Sequence, residues 1–187
     1  MACNLTKGRS LGCLNGVGGI KAVYLAQHDE LTSYTAASGA LTDFDLGAGD
    51  DVYKYSLKRG TGSITENVVG SPENGTLYYE QSVNIKLHKL TKEDQNELKF
   101  LAQQRMVVFV ELNDLTGTGF NIILACGLDN GMELSAGVNA SGVGMGDMAG
   151  YDWTFSAQEP APMQVVADYT TTALDNASFT FNSIVTS

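Results

Sequence analysis

Beyond Arg105 the chain has no lysine and no arginine. All 11 Lys and Arg residues stand at or before that position, while Glu111, Asp114, Asp129, Glu133, Asp147, Asp152, Glu159, Asp168 and Asp175 follow it. A DNA-gripping basic surface is excluded from this half, because phosphate binding rests on Lys and Arg. Cysteine is scarce and odd in number. Cys3, Cys13 and Cys126 make no closed disulfide framework, and synthesis in a reducing cytoplasm is the simpler expectation. His28 and His88 are the only histidines, and the paired short spacings of a structural zinc site are missing. Long apolar runs are also lacking. Met106–Val110 and Asn121–Cys126 have the length of strands and cannot span a bilayer. No apolar core of signal-peptide length follows Lys7 and Arg9.

What remains is a chain of 187 residues with a formal net charge of −10, long enough for one core. At 43% hydrophobic and 17% charged residues it is too apolar for a disordered protein. Its 21 glycines lie between short runs of Val, Ile, Thr, Tyr and Phe, which predicts many turns between strands. The expected fold is mainly β, a sandwich or small barrel, with a long β-hairpin and one mid-chain α-helix packed on the sheet. Residues 1–19 read as an N-terminal arm and residues 20–187 as a single domain.

Along the chain, IKAVYLA (Ile20–Ala26) predicts the first strand, and the polar stretch Gln27–Asp51 reads as loops. Tyr53, Tyr55 and Leu57 then alternate with Lys54, Ser56 and Lys58, the period of a half-buried strand. Gly60–Gly62 breaks or bulges this strand, and SITENVV resumes it. SPENG (Ser71–Gly75) makes a tight turn. The returning strand places Val83, Ile85 and Leu87 on one face and Asn84, Lys86 and His88 on the other. The whole of Tyr53–Leu87 therefore reads as one long hairpin, whereas strands usually run to about five or six residues.

A helix is predicted at about 92–105. Thr91 is a good N-cap with Asp94 placed to reach back, and Leu98, Leu101 and Ala102 form an apolar stripe. After it, MVVFVEL and FNIILAC are apolar enough to be buried on both faces, and Met132–Gly142 is a weaker strand. Tyr151, Trp153 and Phe155 alternate along a late strand. Met163–Ala167 and Ser178–Val185 read as short edge strands.

Little in the sequence supports an enzyme or a cofactor. No G-x-S-x-G elbow, H-E-x-x-H pair, Walker A loop or dinucleotide fingerprint occurs, and GVGMGDMAG (Gly142–Gly150) opens no amphipathic helix. The carboxylates of DFDLGAGDD lack the spacing of an EF-hand loop, and no pair is singled out for glycoside chemistry. His28 and His88 both read as surface histidines.

The order of elements over roughly Val52 to Gln164 resembles the tail tube proteins of tailed bacteriophages and their relatives in contractile injection systems. The segments CNLTKGRSLGCLNGVGGIKAVYLA and GMGDMAGYDWTFSAQEPAP are similar to virion proteins of phages of Bacteroidetes-type hosts. The resemblance implies a virion structural subunit made in the host cytoplasm. Copies would form a ring, six in number, whose hairpins line up as an inner β-barrel. Rings would stack into a tube that joins other tail or neck proteins. Phage DNA would pass through without specific binding, and no membrane or cofactor is implied. The expected assembly hairpin carries Tyr53, Tyr55, Leu57, Val83, Ile85 and Leu87. The alternative is a monomeric module that binds glycan or protein, with Tyr24, Tyr34, Tyr78, Tyr79 and Trp153 as aromatic platforms.

Overall fold

A computed structural model describes residues 7–9, 15–167, 169, 172–176 and 178–186. Nine strands form one sheet: β1 (Ile20–Gln27), β2 (Leu31–Ala37), β3 (Ala40–Leu46), β4 (Val52–Ser56), β7 (Met106–Leu115), β8 (Asn121–Cys126), β11 (Gln164–Val166), β12 (Phe179–Thr180) and β13 (Ile184–Val185). Four strands, β5 (Gly62–Ser71), β6 (Thr76–His88), β9 (Glu133–Ala140) and β10 (Gly150–Glu159), form the other. The helix α1 covers Lys92–Leu101.

Strands apolar on both faces belong where both faces are covered. That is where β1 and β7 lie, paired antiparallel at the centre of the large sheet, between β8 and β4. One face meets the small sheet. There Val23, Leu25, Val108 and Val110 pack with Val83, Ile85, Tyr151, Trp153 and Phe155. The opposite face holds a second core of Tyr24, Leu41, Phe44, Val52, Phe109 and Ile123.

That second core exists because the large sheet curls on itself. Phe44 on β3 and Phe109 on β7 stand edge to face, with ring centroids 4.9 Å apart. In a flat sheet, three strand steps of about 4.8 Å would separate them by about 14 Å. The C-terminal segment closes the seam. β12 runs parallel to β3 at Phe44 and Asp45, and β13 runs parallel to β4 at Val52 and Tyr53. Between them Asn182 N donates to Asp50 O, and Val52 N donates to Ser183 O. The fold is thus mainly β, half barrel and half sandwich.

Several expectations need correction. Gln27–Asp51 is not loop: a short 3-10 turn leads into the β2–β3 hairpin, whose inward side chains are Leu41, Phe44 and Leu46. The expected long hairpin from Tyr53 to Leu87 is divided between sheets. β4 pairs with β1, and only β5 and β6 form the hairpin, in unbroken register from Gly62↔Ile85 to Ser71↔Thr76. The Gly60–Gly62 signal marks the crossing, where a side chain at Gly62 would press on Leu57 and Ile20. β11 is no edge strand, since it sits between β3 and β8. The helix ends at Leu101, with Ala102 exposed as its C-cap.

The helix otherwise follows its capping signal. Thr91 Oγ1 accepts from Asp94 N at 3.1 Å. Tyr151 ties that end to the sheet. Its hydroxyl donates to Thr91 O and accepts from Thr91 N and Gln95 Nε2. Leu98 and Leu101 pack on the core shared by the two sheets.

Candidate functional site

The small sheet has two contrasting faces. Its inner face supplies Val83, Ile85, Tyr151, Trp153 and Phe155, all fully buried. Its outer face is made of cross-strand rows that are mostly polar, with exposed Val138 beside Asp152 as an apolar exception. One row reads Ser63, Asn84, Thr154, Ala136, and the next Thr65, Ser82, Ser156, Glu133. Asn67, Glu80 and Gln158 make a third row.

The only lysine or arginine of this face is Lys86, whose Nζ lies 3.1 Å from Asp152 Oδ2. Asn84 Nδ2 donates to the other Asp152 oxygen at 2.7 Å and to Thr154 Oγ1 at 3.0 Å. Partial burial works against the Asp152 charge, but Asn84 and Lys86 outweigh it and hold the carboxyl below its ordinary range. The face is therefore hydrophilic, without a free cation.

Both lateral edges of this sheet are open. Among the described residues no strand pairs with the outer side of β5 or of β9. β5, β6, β10 and β9 alternate in direction. With four strands in alternation, β9 of one copy and β5 of the next run antiparallel, so an identical neighbour can continue the sheet. Edges of this length invite such pairing.

The far end of the β5–β6 hairpin extends past the core. Val68 is 65% and Leu77 59% exposed, and neither core contains Val68, Leu77, Tyr78 or Tyr79. Between Gly60 and Ile85 there is no Lys or Arg, whereas Glu66, Glu73 and Glu80 fall within that stretch.

The six residues expected to form an assembly hairpin divide differently. Val83 and Ile85 point into the core, and Tyr55, Leu57 and Leu87 pack against it half-buried. Val83 and Ile85 therefore offer no surface to a neighbour, because alternation turns them away from the outer face. Tyr53, Tyr55 and Leu87 do come together in a groove of about 620 Å³ beside α1. It continues into a cleft of about 350 Å³ lined by Phe100 and Gln104. Burial, with Glu97 and Asp94 nearby, pushes the Tyr55 hydroxyl up to about 12. Among the proposed aromatic platforms, Tyr24 and Trp153 are core residues, and Tyr34, Tyr78 and Tyr79 remain partly accessible.

Buried polar groups hold loops and strands together. Glu111 accepts from Lys21 Nζ at 2.6 Å and from the Tyr24 hydroxyl at 2.8 Å. Glu159, 2% exposed, accepts from the backbone N–H groups of Asp129 and Asn130. Desolvation raises its pKa against those two bonds. Gln81 Oε1 accepts from Gly127 N. The adjoining cavity of about 30 Å³ has room for about one water and no substrate.

His28 is largely covered, contrary to its expected surface position. Its Nε2 lies 3.2 Å from the Asp129 carbonyl, and its Nδ1 has no hydrogen-bond partner. Cys126 is fully buried, and burial pushes its thiol far up, which suppresses the reactive thiolate. Cys3 and Cys13 lie outside the described residues, as does most of the expected arm. Among the described residues no three His, Cys, Asp or Glu side chains are grouped to hold a metal ion. No described helix is long and apolar enough to cross a membrane.

No family model, curated protein or solved structure matches this chain.

Proposed function

We propose that this chain is the repeating subunit of a homo-oligomeric tube of the phage tail tube kind. In this reading copies join side by side through β9 of one and β5 of the next. The observation that carries it is the small sheet: open at both edges, alternating over four strands, apolar within and hydrophilic without. Side-by-side pairing of one edge with the other is heterologous, so it closes into a ring when the rotation between copies divides a full turn.

In a ring of six, the number taken from the tail tube resemblance, the inner barrel has 24 strands. At about 4.8 Å spacing and about 40° tilt its backbone would be about 48 Å across. That width admits a DNA duplex with water around it. A wall of Ser, Thr, Asn, Gln and Glu with one exposed Val138, and with Lys86 paired to Asp152, would offer phosphates no free cation to grip.

Negative-stain electron microscopy of the purified protein over a concentration series tests this reading. Rings or hollow tubes are expected. Dispersed monomers at every concentration would overturn it and favour the monomeric binding module.

A sharper test uses the separate variants Val138→Pro and Asn139→Pro on β9. Successive N–H groups alternate between β10 and the open edge, so one of the two removes an edge donor while sparing the internal ladder. That variant is expected to stay folded and lose ring formation. Rings formed by both folded variants would exclude this edge.

A further inference from the structure

The tube reading leaves open what one ring presents to the next. The two ends of β6 suggest the answer. The strand runs 13 residues, Thr76–His88, a length of about 40 Å at about 3.3 Å per residue. One end is the projecting hairpin turn and the other borders the groove beside α1.

The hairpin end exposes apolar side chains that its own core does not use, chiefly Val68 and Leu77. Its charge is acidic, with Glu73 in the turn and Glu80 behind it. At the opposite end of the same strand, Lys58 in the β4–β5 connection and Lys86, itself paired with Asp152, border a groove that also presents Tyr53, Tyr55 and Leu87. Arg59, Lys89 and Lys92 lie beside these in sequence, at the β4–β5 turn and the start of α1. The facing helix wall carries Glu93, Asp94 and Glu97, so the basic side of the groove is the strand side.

We infer that the hairpin end of one copy docks into the groove between α1 and β4 of the copy beyond it along the tube axis. This rests on the tube reading above. Val68 and Leu77 would cover the tyrosine-lined floor, and Glu73 would face the Lys58 side. The occupant is a second copy because the two surfaces, an acidic apolar hairpin end and a groove with an aromatic floor and lysines along its strand side, are opposite ends of one strand. A contact between two different surfaces related by translation does not close on itself. It therefore propagates as a stack, in a direction distinct from the β9–β5 contact that closes the ring.

Leu77→Asp places a charge at a site already 59% exposed, so the fold should survive, as circular dichroism would check. Electron microscopy and sedimentation should then show single rings with stacking lost. Stacks of wild-type length from the folded variant would overturn the docking while leaving the ring reading intact. A wild-type protein that forms no rings would overturn both.

Charge exchange adds a specific readout. Glu73→Lys should weaken stacking, and Lys58→Glu in the same chain should restore it. Absence of restoration removes the Glu73–Lys58 pairing. In a Cys3→Ser, Cys13→Ser background, mixed Leu77→Cys and Tyr53→Cys proteins should form a disulfide between copies in stacked particles. Failure of that cross-link in stacks that persist would place the hairpin end elsewhere.

Discussion

The two sheets treat their edges differently. The nine-stranded sheet spends its last described residues, β12 and β13, bridging β3 to β4 and so closing a seam. Among the described residues the four-stranded sheet leaves the outer sides of β5 and β9 unpaired, although β6 is the longest strand in the molecule at 13 residues. Bare edges of that length are usually blunted by charges, prolines or bulges. Here β5 has Glu66 as its one charge and an unbroken register, β9 has Glu133 at its start and one register shift near Ser135, and neither strand contains proline. The difference is that one sheet has the seam between β3 and β4 bridged within the monomer, whereas the other has two unbridged edge strands among the described residues.

The largest effect should come from removing what both sheets share. Trp153 is fully buried between them, and Trp153→Ala should cost about 3–5 kcal/mol, measured by denaturant unfolding. Gly150→Ala comes close behind. Gly150 has φ +155°, and a Cβ there would meet the Leu87 carbonyl oxygen at 1.9 Å, forcing β10 from β6. A loss of about 3 kcal/mol is expected, with lowered thermal stability.

Truncation before Phe179 would make the closed sheet resemble the open one. It removes the Phe179 ring, tilted against Phe44 with centroids 5.8 Å apart, and frees the edge of β4. Light scattering should then report disordered aggregation in place of regular particles. Val138→Lys makes the converse change. Val138 is 61% exposed on the open edge strand, so stability should move by no more than about 0.5 kcal/mol while ring formation is lost.

The smallest effect is a pH dependence of opposite sign at two carboxylates. Burial raises the Glu159 pKa above its ordinary 4.5. The folded state then binds this proton more readily than the unfolded chain. The group destabilises at neutral pH and is relieved as pH falls through the folded value. Asp152, lowered from 3.8, contributes stability above its unfolded value and loses it as pH falls through the folded one. Urea titrations across pH 3–6, the span flanking these values at about one unit either side, should show Glu159→Gln and Asp152→Asn changing the slope in opposite directions.

Much of this architecture was legible from alternation and capping. Tyr151, Trp153 and Phe155, at every second position, had to share a face, as did Val83 and Ile85. Thr91 with Asp94 marked where the helix begins. The β2–β3 hairpin escaped notice because Asp43 and Asp45 flank Phe44, and residues that look like loop chemistry sit on the solvent side of a bulged strand. Glu111 and Glu159 could not be paired with their partners beforehand, because Lys21 and Asn130 are distant in sequence. The only local signal was a carboxylate within an apolar strand.

By itself the sequence determined which side chains share a face, where the helix starts, and that positive charge is confined to the first 105 residues. These follow from the two-residue and 3.6-residue periods and from composition, all local properties. Tertiary structure alone decided that β4 leaves the hairpin for the other sheet, that β12 and β13 bridge β3 to β4, and that among the described residues β5 and β9 have unpaired outer sides. Those outcomes depend on which strands find each other across the chain, and pairing between distant segments is a matter of shared core and backbone satisfaction that no single strand encodes.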